Sequence, residues 1–274
     1  MYKPIRFSGF SLLVLLQMSA VQCRNNAEGQ EPDTAPVMTS RVDSVQLKTQ
    51  EGGCSTEWEP CLSVQLVYPK FTGSNPTAGD QINAQIEKNL ISFLRLPDGS
   101  GDLQQAIQKL KTNFSAAVDR KAIIPQWNAQ SSYQVLYHSD RVLSAIQNGY
   151  AFYGEENPPK PGAILRSFDL QSGRVLAWSD VISDRISFVR TAEKNFRTQR
   201  RLNDNENLLN AGYFAPTEGA FDLPANFAVI DSSLVLYYNP EEIAPEGFGP
   251  IECRVPLREL RLAVKRQILD WAEQ

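Results

Sequence analysis

The sequence has little of what enzyme active sites are commonly built from. Its 274 residues include one histidine, His138, and four cysteines. No Gly-x-Ser-x-Gly element is available to supply a serine nucleophile, so the sequence does not favour Ser-His or Cys-His chemistry. The Asp-x-Asp-x-Asp-Gly pattern of a calcium loop is also missing. We therefore predict that the protein is not an enzyme and uses no metal or cofactor.

An excess of positive charge is missing too. The chain carries 27 lysines and arginines against 31 aspartates and glutamates, and its formal net charge is −4. Nucleic-acid-binding domains are usually basic, because they neutralise phosphates. The composition therefore argues against nucleic acid as a partner.

Long apolar runs are absent from the sequence as well. The run 10–16 follows Lys3 and Arg6 and is shorter than the roughly 20 residues of a membrane-spanning helix. A basic start, a short apolar run and a stretch of small and polar residues are typical of a secretory signal peptide. We predict that residues 1–22 are such a signal.

The end of this signal resembles a bacterial lipobox, in which a cysteine becomes the acylated N-terminus. The matching segment is Ser19-Ala-Val-Gln-Cys23, with Gln22 an unusual residue before the cysteine. We predict that Cys23 is lipidated. The exported protein would then be lipid-anchored in the bacterial cell envelope, facing the periplasm or the cell surface. Soluble export and an uncleaved anchor are the alternatives.

Residues 23–50 are rich in Asn, Glu, Pro, Thr and Ser and poor in large apolar side chains. Such a segment buries too little surface to offset its ordering entropy, so we predict a flexible tether. The alternative is that residues 44–47 pack on the domain as an extra strand.

The remaining cysteines fit an oxidising compartment. Cys54 and Cys61 bracket a short loop with a proline, and we predict that they form a disulfide. A metal site is the alternative, but the spacing is not that of a zinc knuckle and no histidine lies near. Cys253 alternates with apolar neighbours in a predicted strand and is expected to be a buried, free thiol.

Apolar periodicity predicts an α+β fold, with a mainly antiparallel sheet packed with helices. The alternation of Leu62, Val64, Leu66 and Tyr68 predicts one strand. One helix is expected to begin behind Asp80 as its N-cap, another behind Ser183 and Asp184, and a terminal helix should carry Leu257 to Trp271 on one face. We divide the domain into residues 51–150 and residues 151–274, packed as one unit.

Three segments between residues 141 and 260 resemble the RsiV-like extracytoplasmic domain family. They read "RVLSAIQNGYAFYG", "FDLQSGRVLAWSDVI" and "NFAVIDSSLVLYYNPEEIAPEGFGPIECRVPLREL". The residues that match the family pattern are Asp169, Gly173, Asn239, Pro240, Glu242, Ile243, Ala244, Pro245, Gly249, Pro250 and Leu260. The first half is similar to the companion PdaC-type N-terminal region.

The resemblance implies a stand-alone bacterial lipoprotein of that family. Its members lie outside the cytoplasmic membrane, and its sensor branch is known for recognising lysozyme. One element departs from the pattern: members commonly carry "GGAH" where this chain has "YGEENPPKPGA". Any function that depends on that histidine is therefore not expected here.

The segment Asn239 to Pro250 leaves a predicted strand and returns to one, and its prolines and glycines predict a rigid loop. Such a loop either covers the core or presents groups to a partner. In the first case Ile243 fills the core and Glu242 caps backbone amides. In the second case acidic side chains face a basic partner. The candidate ligand-binding residues of this segment are Asn239, Glu241, Glu242, Glu246 and Phe248.

We therefore expect a non-enzymatic cell-envelope domain that binds a ligand, either peptidoglycan or another glycan, or a lysozyme-like protein. A structural envelope protein is one alternative. Another is a carboxylate-dependent glycan hydrolase, with Glu155 and Glu156 or Glu241 and Glu246 as the acid pair. Aromatic residues such as Tyr150 could stack on glycan, although aromatics at this spacing are commonly cross-strand pairs.

Overall fold

Strands with one apolar face build a five-stranded sheet. The computed structural model describes residues 40–56, 58–73, 75–96, 101–120, 126–154, 162–214 and 221–272. The strands are β1 (Arg41–Gly52), β2 (Cys61–Thr72), β3 (Gln126–His138), β4 (Val142–Phe152) and β5 (Gly162–Asp169). They lie in the order β1-β2-β3-β4-β5. β2 and β3 are parallel, and the other neighbouring pairs are antiparallel.

Two helices cover one face of this sheet. They are α1 (Pro76–Phe93) and α2 (Leu103–Asp119), and both lie in the connection between β2 and β3, since parallel neighbours need a long crossover. Leu62 and Leu66 of β2 are fully buried against Ile82 and Leu110 of the helices. Removing this apolar surface from water stabilises the first half by about 25 cal/mol per Å².

A three-stranded antiparallel sheet forms the second half. It contains β6 (Asn226–Ile230), β7 (Ser233–Tyr238) and β8 (Ile251–Pro256) in that order. The helices of this half are α3 (Trp178–Val181), α4 (Arg185–Arg200) and α5 (Arg266–Ala272). Phe188 and Phe196 of α4 are fully buried against the sheet. Asp184 caps α4 as its sequence predicts, because its Oδ1 accepts from Ile186 N and Ser187 N.

Two buried serines join the two sheets. Ser144 of β4 and Ser167 of β5 lie 2.7 Å apart between their Oγ atoms. Ser167 Oγ accepts from Val229 N of β6 at 2.9 Å, and Ser144 Oγ donates to Val229 O. Both backbone groups of one β6 residue are thereby satisfied by side chains of the other sheet.

The α+β class predicted from the sequence is confirmed. The described residues from Ser40 onward form one compact unit. The predicted boundary after residue 150 is wrong, however, because it falls inside β4 and because β5 completes the first sheet. The two sheets divide after Asp169. None of the described helices has the length and apolar character needed to cross a membrane.

The predicted tether is wrong from Arg41 onward. Residues 41–52 form β1, which pairs with β2 along its whole length from Arg41 opposite Thr72 to Gly52 opposite Cys61. The structure instead has the alternative, in which residues 44–47 belong to an extra strand that packs on the domain. The rest of the predicted tether, Cys23 and the predicted signal peptide lie outside the described residues.

Two helix boundaries also differ from their predictions. Helix α1 begins before Asp80, because Asn75 Oδ1 accepts from Ala78 N at 3.3 Å and Pro76 occupies the first helical turn. The C-terminal segment is not one helix but a 3₁₀ turn, Leu257–Leu260, followed by α5. Lys265 N donates to Val181 O at 2.8 Å, so pairing with another segment interrupts the helix.

The cysteine assignments agree with the sequence. Cys54 and Cys61 form a disulfide. The described free cysteine, Cys253, is fully buried in β8. Burial raises the pKa of the Cys253 thiol to about 12, so the thiol stays protonated and unreactive at neutral pH.

We predict that peptide mapping of the unreduced protein links Cys54 to Cys61 and leaves Cys253 unmodified by iodoacetamide until the protein is denatured. Replacing Cys54 and Cys61 together by serine should lower the free energy of unfolding by about 2.5 kcal/mol, because the unfolded chain regains the freedom of the short loop. Urea denaturation measures this change. A peptide that links Cys253 to either of the other two would contradict the assignment.

Candidate functional site

The prolyl loop, residues 239–250, connects β7 to β8. Glu242 N donates to Asn239 O at 3.1 Å, which closes the first turn, and Glu241 has a positive φ of 69°. A short 3₁₀ turn, Glu246–Phe248, follows. Gly249 has a φ of 65°, a conformation that favours glycine. Each of these turns contains a hydrogen bond, so the loop has a defined path.

The side chain of Asn239 hydrogen-bonds to the outer edge of the first sheet. Its Oδ1 accepts from Ala163 N at 2.7 Å, and its Nδ2 donates to Ala163 O at 3.0 Å. The side-chain amide thus takes the place of a neighbouring strand at the outer edge of β5. Asn226 does the same for the next position, since its Oδ1 accepts from Leu165 N at 3.1 Å. Exposed strand edges are otherwise prone to unwanted pairing.

The middle of the prolyl loop covers the core. Ile243 and Ala244 are 3% exposed, and Ile243 O accepts from Phe214 N. Glu242 Oε2 accepts from Asn239 N at 2.9 Å. The polar groups of Asn239 and Glu242, which we predicted as ligand-binding, are therefore engaged within the molecule.

The outer members of the loop are exposed. Glu241 and Glu246 are exposed carboxylates, and Phe248 keeps 52% of its surface accessible. The Phe248 ring packs edge-on against Tyr213 at 5.6 Å between centroids. Binding through Glu241, Glu246 and Phe248 stays a prediction.

The first sheet presents a second surface, which sequence reasoning missed. Leu62, Val64 and Leu66 of β2 are buried against the helices, so Ser63 and Gln65 between them point to the opposite side. The same alternation holds in β1, in the middle of β3 and in the second half of β4, from Gln147 onward. We call this surface the polar face. It comprises Gln46, Lys48, Gln50, Ser63, Gln65, Gln130, Ser132, Asn148 and Tyr150, all of them exposed or half-buried.

The strand register arranges these side chains in rows. Lys48, Gln65, Gln130 and Tyr150 are direct neighbours across four strands. Three strand spacings of about 4.8 Å make this row about 14 Å long. Two shallow recesses, of about 330 and 380 Å³, share Gln65 on this surface. The polar face is thus an extended, uneven surface rather than an enclosed pocket.

Amide and hydroxyl groups dominate the polar face. Asn and Gln side chains donate and accept hydrogen bonds, and Ser can do both. Lys48 is the charged residue of the set. Such a surface suits a ligand that is neutral, extended and rich in donors and acceptors. A clue was present in the sequence, since polar residues occupy the positions between the predicted core residues of β2.

The other candidate groups do not form a site of comparable extent. His138 Nε2 lies 2.7 Å from Ser40 Oγ, and this contact joins the start of β1 to the end of β3. Among the described residues, no three His, Cys, Asp or Glu side chains are placed to share a metal ion. The candidate acid pair Glu155 and Glu156 lies outside the described residues, and so does the rest of 155–161, the middle of the stretch that replaces "GGAH".

A larger recess, of about 640 Å³, lies beside α1 and the residues just before α2, and Glu87 and Asp102 line it. Both carboxylates have structural roles there. Glu87 Oε1 accepts from Leu103 N at 2.7 Å, and Asp102 Oδ1 caps α2 by accepting from Gln105 N at 2.8 Å. Both carboxylates of this recess are therefore engaged within the molecule.

Comparisons with known proteins match both halves of the chain. The family model "Protein of unknown function (DUF3298)" matches residues 179–258, and the family model "Deacetylase PdaC" matches residues 55–158. The two matches support a domain of the PdaC/DUF3298 type. The PdaC-type region covers most of the first sheet, and the DUF3298-type region includes β6, β7, the prolyl loop and β8. No curated protein is similar in sequence.

Two solved structures share this fold. A DUF3298 family member from Bacteroides fragilis has a TM-score of 0.66 and 15% identity, and the match covers 85% of this chain and 97% of that one. A DUF3298 family protein from Pseudomonas aeruginosa PAO1 has a TM-score of 0.58 and 20% identity, covering 83% and 96%. The arrangement of both halves is therefore known from other proteins. The finer RsiV-like resemblance stays a prediction.

We predict that Asn239→Ala lowers the free energy of unfolding by about 2 kcal/mol, because Ala163 N and O both lose their partner. Urea denaturation followed by circular dichroism measures the effect. The control is the double variant Glu241→Gln and Glu246→Gln, which changes exposed side chains of the same loop and should stay within about 0.5 kcal/mol of the parent. Parent-like stability of Asn239→Ala would mean that its amide is dispensable for the sheet edge.

Proposed function

We propose that this chain is a non-enzymatic domain of the bacterial cell envelope, exported and anchored through lipidated Cys23, and that it binds the glycan of peptidoglycan. The observation that carries the proposal is the polar face of the first sheet. Family models that match an envelope-type domain agree with this location.

The chemistry of the polar face fits a neutral glycan. Sugar hydroxyl and acetamido groups both donate and accept hydrogen bonds, as Gln65, Gln130 and Asn148 do. Tyr150 adds an aromatic ring at the end of the row, and aromatic side chains commonly supply the apolar part of a ligand site. An extended surface also suits a polymer better than a small molecule, because a chain can contact several strands at once.

A second candidate ligand is a lysozyme-like protein bound at the prolyl loop. The observation that favours it is the exposure of Glu241, Glu246 and Phe248 on a loop with a defined path. Acidic side chains around an aromatic residue would attract a basic protein and give it an apolar anchor.

We predict that the double variant Gln65→Ala and Gln130→Ala binds purified peptidoglycan sacculi about tenfold more weakly than the parent, because each substitution removes hydrogen bonds to the glycan. Co-sedimentation over a range of sacculus concentrations measures the affinity. The matched control is Gln104→Ala with Gln108→Ala, two exposed glutamines of α2, which should bind like the parent. Equal binding by both double variants would exclude the polar face.

The dependence of binding on salt concentration distinguishes the two candidate ligands. Glycan binding through uncharged groups should change little as the salt concentration rises. Binding of lysozyme through carboxylates should weaken strongly, because salt screens exposed charges. Capture of lysozyme that is lost at high salt and in the Glu241→Gln, Glu246→Gln variant, together with no binding of sacculi, would favour the prolyl loop instead.

For the anchor we predict that Cys23→Ser abolishes labelling with radioactive palmitate and moves the protein from the detergent phase to the aqueous phase. The reason is that acylation needs the thiol of this cysteine. Cys253→Ser is the control and should keep its label. Unchanged labelling of Cys23→Ser would show that the lipid site is elsewhere or absent.

A further inference from the structure

The tip of the β1–β2 hairpin exposes a tryptophan. Trp58 has 80% of its surface accessible to solvent. The other three tryptophans are half-buried against the cores: Trp127 contacts Phe114, Trp178 stacks on Phe227, and Trp271 packs against the C-terminal core. An indole ring is large and mostly apolar, so leaving it in water forgoes the stabilisation that its burial would provide.

The backbone around Trp58 is nevertheless held in place. The disulfide between Cys54 and Cys61 closes the loop that contains it. Gly53 N donates to Pro60 O at 2.9 Å, and Gln126 Nε2 donates to Glu59 O. These contacts hold Gly53, Glu59 and Pro60 of the loop in place. A side chain presented on such a loop loses little entropy when it binds.

The loop is tied to the same side of the sheet as the polar face. Gln126 lies opposite Cys61 in the register of β2 and β3, and Gln130 lies opposite Gln65. Gln126 and Gln130 are an even number of residues apart in one strand, so their side chains point to the same side. The bond from Gln126 to Glu59 O therefore anchors the hairpin tip at the end of the polar face.

The sequence around Trp58 helps to identify the ligand. Glu57 and Glu59 flank the tryptophan, and carboxylates are unfavourable beside anionic lipid headgroups. They do accept hydrogen bonds from sugar hydroxyls. A glycan that lies along the polar face toward the hairpin tip would meet an aromatic ring and hydrogen-bond acceptors there.

We infer that Trp58 is the aromatic platform of a glycan subsite at the hairpin tip, where it stacks on a sugar ring of the strand bound along the polar face. The inference rests on the proposed function and adds a residue and a location to it. It also gives the disulfide a role in binding, because the disulfide closes the loop that presents the ring.

Intrinsic fluorescence of the purified mature chain in detergent tests the inference, with the hexamer of β-1,4-linked N-acetylglucosamine as the probe. Titration should shift the emission to shorter wavelength and protect it from iodide quenching, since Trp58 leaves water. Trp58→Phe should remove that spectral change. Trp58→Ala should weaken binding of the hexamer and of sacculi by about fivefold to tenfold. Ile186→Ala, at an exposed apolar residue of α4, is the matched control and should bind like the parent.

The outcomes separate the inference from the proposed function. If Gln65→Ala with Gln130→Ala weakens binding but Trp58→Ala does not, the polar face stands and the Trp58 subsite is overturned. If the parent binds neither the hexamer nor sacculi, both are overturned. A blue shift caused by vesicles of anionic phospholipid, and not by the hexamer, would also overturn the subsite. Circular dichroism and non-reducing mass analysis confirm that each variant is folded and disulfide-bonded.

Discussion

The outer edge of β5 is the constraint on which the two halves of the fold depend. A strand at the edge of a sheet has peptide groups without a neighbouring strand. In β5, Ala163 N donates to Asn239 of the prolyl loop and Leu165 N donates to Asn226 of β6. Ser144 and Ser167 complete the junction at Val229. Side-chain hydrogen bonds thus join the two sheets, which share no strand ladder among the described residues. Loss of any one bond leaves a polar group without its partner at the junction.

This constraint explains why the prolyl loop, although its sequence is the most distinctive in the chain, is not the clearest ligand site. Asn239 must reach β5, Glu242 must hold the turn that presents Asn239, and Ile243 must fill the core beneath it. The path of the prolyl loop follows from those three contacts. Glu241, Glu246 and Phe248 are exposed on the outer side of the loop, and the polar face of β1 to β4 offers a more extended exposed surface.

Local patterns allowed much of the fold to be predicted, and long-range contacts decided the rest. The alternation of Leu62, Val64 and Leu66 identified β2, and Asp184 identified the start of α4. β1 was anticipated only as an alternative, at residues 44–47, because its polar residues become a strand only by pairing with β2. The terminal helix was overextended because Val264 pairs with Ile182 instead. The rows of the polar face could not be predicted for a similar reason, because they exist only after four strands are in register.

The pairing of β1 has a mechanical consequence. A pull on the chain ahead of Ser40 acts first on its contact with His138 and then on the hydrogen bonds of Arg41 with its partner strand. The load would separate β1 from β2 one residue pair at a time, starting at Arg41, and each step requires little force. The covalent link between Cys54 and Cys61 ends this process at the far end of the hairpin. Beyond that point the tension passes directly to the interior strand β2, so a small cross-link limits how far the domain can be unravelled from its N-terminal side.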